Sequence, residues 1–224
     1  YIIAASASEG GTISPSGNVE VWAGLSQKFT ITPSAGYEIS DVIIDGVSYG
    51  SITSYTFSSL STNHTISAVF SSKVVYQINC GGGQSSTYAP DQYYNAGSTY
   101  SATDVSINTS GATNPAPQDV YLTERYGNLT YTFPDLVPET PYKVRLHFAE
   151  IYSGNNGTGA RVFNVYINGT KVLSNYDIYA ETHSLGKVVI KDYIFAANAS
   201  GQIAIQLETI SDNAKISAIE IIKQ

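Results

Sequence analysis

Apolar residues recur at every second position over much of this chain, and no long segment carries an apolar stripe at the 3.6-residue helical period. In Lys28 to Ile31, Phe29 and Ile31 share one side; in Thr65 to Phe70, Ile66, Ala68 and Phe70 do the same. This patterning implies an all-β fold. Strand candidates in the first region are Ile2 to Ala7, Lys28 to Ile31, Ile39 to Ile44, Tyr55 to Leu60 and Thr65 to Phe70, parted by Gly, Ser and Pro clusters. Asp45-Gly46 and, later, Asn168-Gly169 mark two-residue hairpins, because both turn residues must accept positive φ.

Ser71-Ser72-Lys73 is a short polar break, after which the chain restarts with Val74-Val75-Tyr76-Gln77-Ile78-Asn79. It divides the protein into a small β domain over 1–72 and a larger one over 73–224. Strands of the larger domain are expected at Leu129 to Phe133, Tyr142 to Ile151, Arg161 to Ile167, Lys171 to Leu173, Lys187 to Phe195, Gln202 to Glu208 and Lys215 to Ile222. Their spacing points to a β-sandwich or jelly roll. Before them lies a tract without periodicity, Gln84 to Asp119, which holds Tyr88, Tyr93, Tyr94 and Tyr100. So long a tract at one end of a sandwich is usually functional.

The chain is 42% hydrophobic, enough to bury a core, but only 13% charged, about half the usual share. Its surface is therefore rich in uncharged polar groups. A net charge of −7 with no basic run argues against a nucleic-acid partner, whose binding rests on clustered Lys and Arg. No stretch approaches the roughly 20 apolar residues of a membrane helix. With one cysteine, Cys80, neither an intrachain disulfide nor a Cys-based zinc site can form, and a buried structural thiol is expected. His64, His147 and His183 lack zinc-ligand spacing, and His147 suits a sheet-face position. Gly81-Gly82-Gly83 follows a strand but lacks the Lys-Ser/Thr of a phosphate loop, so it reads as a turn at a sheet edge. No catalytic motif stands out.

Eighteen Tyr against 7 Phe and 1 Trp is an unusual balance. A neutral sugar presents a flat C–H face and a rim of hydroxyls, and tyrosine offers both a ring to stack and an O–H to bond. Tyr131, Tyr166 and Tyr193 lie in strand patterns and read as sheet packing.

Gly11 to Gly17, Phe29-Thr30-Ile31-Thr32-Pro33, Ala35-Gly36-Tyr37, Asp45-Gly46 and Thr65 to Phe70 together make residues 1–71 resemble the divergent internalin-B B-repeats of prokaryotic surface proteins. That resemblance implies a spacer or adhesion module without catalysis. From residue 74 onward, Ile78-Asn79-Cys80-Gly81-Gly82, Thr123-Glu124-Arg125-Tyr126-Gly127, Leu146 to Tyr152, Arg161 to Gly169 and Ala214 to Ile221 resemble, in order, the malectin domain, also called carbohydrate-binding module family 57. The resemblance implies a jelly-roll sandwich that binds glucose-containing oligo- or polysaccharides through loop tyrosines and an aspartate. Matched position by position, the binding residues fall on Tyr100, Tyr126, Tyr152 and Asp212; Ser153 stands where animal members carry a phenylalanine. Glu124, Arg125 and Glu150 read as a polar network supporting the site.

The expectation is thus a secreted or surface-attached, monomeric accessory module of a longer multidomain chain, accompanying a glycan-degrading activity but not itself an enzyme. It needs no cofactor; a structural calcium ion is compatible with such sandwiches, though no EF-hand-like pattern assigns residues to it. A single module should bind sugar weakly, with Kd on the order of 1 mM to 1 µM. The alternative is an adhesin or stalk segment that recognises a protein and uses the sandwich as scaffold.

Overall fold

A computed structural model describes residues 1–224. They form two compact units, Tyr1–Lys73 and Val74–Gln224. The first contains β1 (Ile2–Ala7), β2 (Gly11–Ser14), β3 (Gly17–Glu20), β4 (Gln27–Pro33), β5 (Tyr37–Ile44), β6 (Val47–Ser48), β7 (Ser54–Phe57) and β8 (His64–Ser72). One sheet runs β3-β1-β8-β5-β6 and a smaller one β2-β4-β7. β1 lies parallel to β8, and the other pairs are antiparallel. Alternate residues of both sheets, among them Ile3, Phe29, Ile31, Val42, Ile44, Ile66 and Ala68, close one apolar core. The Asp45-Gly46 turn has φ of 48° and 81°, and it joins the paired residues Ile44 and Val47 as a two-residue hairpin.

The second unit comprises β9 (Val74–Asn79), β10 (Ser98–Ser101), β11 (Thr123–Tyr126), β12 (Leu129–Phe133), β13 (Pro141–Ala149), β14 (Val162–Ile167), β15 (Thr170–Tyr176), β16 (Val188–Ala196), β17 (Ile203–Ser211), β18 (Lys215–Ile216) and β19 (Ala218–Lys223). Two four-stranded antiparallel sheets, β16-β13-β19-β9 and β12-β17-β14-β15, form an all-β sandwich. Val144, Leu146, Phe148, Ile219 and Ile221 of the first sheet meet Tyr131, Phe133, Phe163, Val165, Ile205 and Leu207 of the second. Tyr131 is fully buried, in keeping with its strand pattern.

The tract 84–119 departs from the expected end-of-sandwich loop. It folds over the outer face of the sheet β16-β13-β19-β9, where its Tyr88, Ala102 and Ala116, with Val120 and Tyr121 just after it, pack with Ala149, Val188 and Ala218 in a core of their own. The reason lies in β13 and β19. Their alternate, outward residues Arg145, His147 and Glu220 are buried, so this face needs a roof as the inner face needs the opposing sheet. Tyr88, within the tract, is consequently a roof residue, only 3% exposed.

Candidate functional site

A third, three-stranded sheet, β10-β11-β18, builds the site. Tyr100 of β10 stands opposite Glu124 of β11, and Tyr126, two residues along β11, stands opposite Lys215 of β18. Because strand side chains alternate, these four project from one face. Arg125 projects from the other. There it donates to Asp91 at 2.6 Å and to the carbonyls of Ala96 and Gly97, with its guanidinium 3.3 Å from the Tyr94 ring centre. β11 is seated by the turn after β9. A Cβ on Gly81, whose φ is +78°, would lie 2.1 Å from the Glu124 carbonyl oxygen, so only glycine lets the turn come so close.

The face opens into a pocket of about 260 Å³. Tyr100, Tyr126, Tyr152 and Asp212 all line it, joined by Glu124, Arg161 and Asn213. Tyr100 and Tyr152 meet edge to face, with centroids 5.7 Å apart and planes at 88°. Tyr152 is 46% exposed, so nearly half of this aromatic wall faces solvent. A Cβ on Gly154 would fall 2.5 Å from the Tyr152 ring; the missing side chain leaves that ring its place.

Beneath the tyrosines lies a charged floor organised by Arg161. Its Nε donates to Glu150 at 2.7 Å, its Nη1 to the Asn213 carbonyl, and its Nη2 lies 3.4 Å from Asp212 and 3.9 Å from Glu124. Lys215 pairs with Glu124 at 2.6 Å and donates to the Ala149 carbonyl. Glu150 also accepts from the Tyr152 amide at 3.1 Å, tying the floor to the backbone of the rim. Asp212, at φ 52°, is held on both oxygens: Asn155 donates to Oδ2 at 2.5 Å and Asn213 to Oδ1 at 3.1 Å. Asp212 is therefore a fixed acceptor at the pocket wall.

Arg161, Lys215, Asn155 and Asn213 are the site residues that reading the sequence missed. Arg161 and Lys215 lie inside stretches that carry the malectin resemblance, but a lone cation at a strand entry looks the same whether it is solvated or buried. Elsewhere, Cys80 is fully buried, and burial pushes its thiol well above the ordinary range. No three His, Cys, Asp or Glu side chains gather as a metal-ligating group. His64 pairs instead with Asp45, while His147 is sealed in the sheet.

With this geometry in place, comparison with known proteins assigns the unit that carries it. Residues 74–219 match the malectin domain. The chain belongs to the malectin family. Among curated relatives of this malectin chain, the receptor-like protein kinase FERONIA of Arabidopsis thaliana is 35% identical over 96 residues, covering 38% of the chain and 11% of that protein. The kinesin-like protein KIN-14R of the same plant is 30% identical over 100 residues, 45% of the chain and 9% of that protein. The chain thus spans a fifth or less of the curated relatives it matches. Among solved structures, the plant receptor-like kinase FER superposes with a TM-score of 0.62 at 23% identity, covering 88% of this chain and 64% of that one. The extracellular domain of ANXUR1 from Arabidopsis thaliana gives 0.59 at 22%, covering 77% and 62%. FER also appears in complex with the plant peptide RALF23 and LLG2, where the match has a TM-score of 0.63 at 19% identity, covering 90% and 81%. At these identities the structures establish a shared fold. No helix of the chain is long and apolar enough to cross a membrane.

Proposed function

We propose that the second unit is a non-catalytic module that binds a neutral, glucose-containing glycan, in a secreted or cell-surface protein of which this chain is one part, and that the first unit is a B-repeat-like spacer. The observation that carries this reading is the convergence of Tyr100, Tyr126, Tyr152 and Asp212 on one pocket. The tyrosine rings supply apolar faces at right angles, and their hydroxyls, with Asp212, supply partners for a sugar's rim. At about 260 Å³ the pocket lies just below the usual range of small-molecule sites, about 300–1,000 Å³, which suits a short stretch of glycan. Binding without cleavage fits the floor, because Glu124 and Glu150 are each committed to a buried cation and neither stands free to act as acid or nucleophile.

Recognition of a protein or peptide is the second reading, favoured by the FER fold being found in complex with a peptide. Calorimetric titration with α- and β-linked gluco-oligosaccharides, beside the Tyr152→Ala variant, tests the first reading. Saturable heat that disappears in Tyr152→Ala while the melting temperature barely moves is the expected result, since Tyr152 is half-exposed. Absence of heat with every sugar, or a bound protein partner not displaced by millimolar oligosaccharide, would transfer the site to the second reading.

A further inference from the structure

The charged floor has one opening. Of its five ionised side chains, Glu150 and Lys215 are 1% and 0% exposed, Glu124 is 2% and Arg161 is 4%, whereas Asp212 is 33% exposed. Both cations are already engaged by protein groups. Arg161 is shared among Glu150, Glu124, Asp212 and the Asn213 carbonyl, and Lys215 between Glu124 and the Ala149 carbonyl. A ligand entering between the tyrosines therefore meets an exposed carboxylate, while the one cation that lines the pocket, Arg161, is almost fully buried and already engaged by three carboxylates and a carbonyl.

We infer that the pocket sorts ligands by charge: it rejects anionic sugars such as uronic acids, accepts neutral ones, and accepts hexosamines with a free amine at least as well. This inference rests on the glycan reading of the same pocket and adds the class of sugar. Three contacts keep Asp212 in place against an incoming charge. Asn155, itself buried, and Arg161 hold Oδ2, and Asn213 holds Oδ1, so the carboxylate cannot swing away to admit a second anion. A uronate carboxylate in the pocket would sit within a few ångströms of it in a partly desolvated setting, where like charges repel far more strongly than in water. An ammonium group there would gain a charge-assisted hydrogen bond.

The test compares gluco-, glucosamine- and galacturonate oligomers of equal length by calorimetry at neutral pH and low salt, using the full chain and Asp212→Asn. Binding of the galacturonate oligomer should be at least about tenfold weaker than that of the neutral one, and Asp212→Asn should shrink that ratio severalfold while keeping the fold. Equal affinity for the two, or a ratio unchanged in Asp212→Asn, overturns the inference. A second measurement needs no sugar. Methylammonium and acetate are titrated separately while the amides of Tyr100, Tyr126 and Tyr152 are followed by NMR. Shifts with methylammonium but not acetate, lost in Asp212→Asn, support the charge filter even if every oligosaccharide fails and the glycan reading falls. Equal responses to the two ions overturn the filter even if neutral sugars bind.

Discussion

The second unit holds two buried clusters in which an arginine gathers carboxylates, and they differ in what lies over them. Arg145 donates to Glu220 at 2.9 Å, to Asp192 at 3.1 Å and to the carbonyls of Thr113 and Asn114, so it fastens the tract 84–119 to the sheet. Tyr88 donates to Glu220 from the roof, and the Tyr121 hydroxyl, which accepts from the Ala116 amide, lies 2.8 Å from His147 Nδ1 in a hydrogen bond. Arg161 performs the same service for Glu150, Glu124 and Asp212, but above it the chain leaves a tyrosine-lined opening. The chemistry of the two clusters is alike. One is largely covered by its own chain, with only Asp192 reaching solvent; the other is left open beneath the tyrosines, where the proposed ligand would enter.

Replacing each arginine by methionine puts that contrast to its hardest test. Either change leaves carboxylates buried without their cation, and each should cost about 3–5 kcal/mol of stability in urea denaturation. The expected difference is in binding. Arg145→Met, where folded, should keep the affinity for gluco-oligosaccharide, because none of its partners lines the pocket, whereas Arg161→Met should lose it with the release of Asp212. Loss of affinity in Arg145→Met would show that the clusters are coupled and the contrast false.

Acid separates them next. Burial works to raise the Glu220 pKa, but the neighbouring His147, whose Nε2 lies 3.8 Å away, the Tyr88 hydrogen bond and the Arg145 charge outweigh it and hold it down to about 2. Burial also lowers His147. In both cases the unfolded chain takes up the proton at a higher pH than the folded one, so each contributes stability that is present at neutral pH and lost on acidification. The decline should begin below about pH 6.5 through His147 and continue from about pH 4.5 towards 2 through Glu220, the latter on the order of 3 kcal/mol. Melting temperature measured against pH should show this, and Glu220→Gln should flatten its lower part. A profile unchanged in Glu220→Gln would remove the closed cluster as the acid-sensitive element.

Much of the scaffold was legible in one dimension because its cause is local. Leu129–Phe133 alternates plainly, Ile2–Ala7 is a short apolar run, and both are strands over those residues, while Asp45-Gly46 and Asn168-Gly169 both turn with positive φ. The strands that escaped are those without an apolar signal. β2 and β3 are short and mostly exposed, and β11, Thr-Glu-Arg-Tyr, carries polar groups on both faces because each face meets a charged partner. The roof escaped for a related reason: Tyr88 and Val120 have no period to announce them, and the surface they cover is assembled from β13 and β19, far away in sequence. At the site, Tyr126 and Tyr152 were visible within malectin motifs, and Tyr100 only by its place ahead of one of them. Asn155, which braces Asp212 from 57 positions away, carries no local mark.

The smallest expected effect bears on the open mouth alone. At Gly154 a methyl group would collide with the Tyr152 ring at 2.5 Å, and the ring, being half-exposed, can move aside at little cost. Gly154→Ala should therefore change stability by no more than about 0.5 kcal/mol, the range of surface substitutions. The displaced ring would give up its edge-to-face contact with Tyr100 and part of the wall a ligand would stack on. A severalfold loss of oligosaccharide affinity with an unchanged melting temperature is the expected result. Because the roofed cluster has no exposed ring whose position matters to a ligand, no change there should produce that combination. Unchanged affinity in Gly154→Ala would mean that the ligand does not depend on where Tyr152 stands, and the open cluster would then owe its selectivity to Asp212 and the remaining tyrosines.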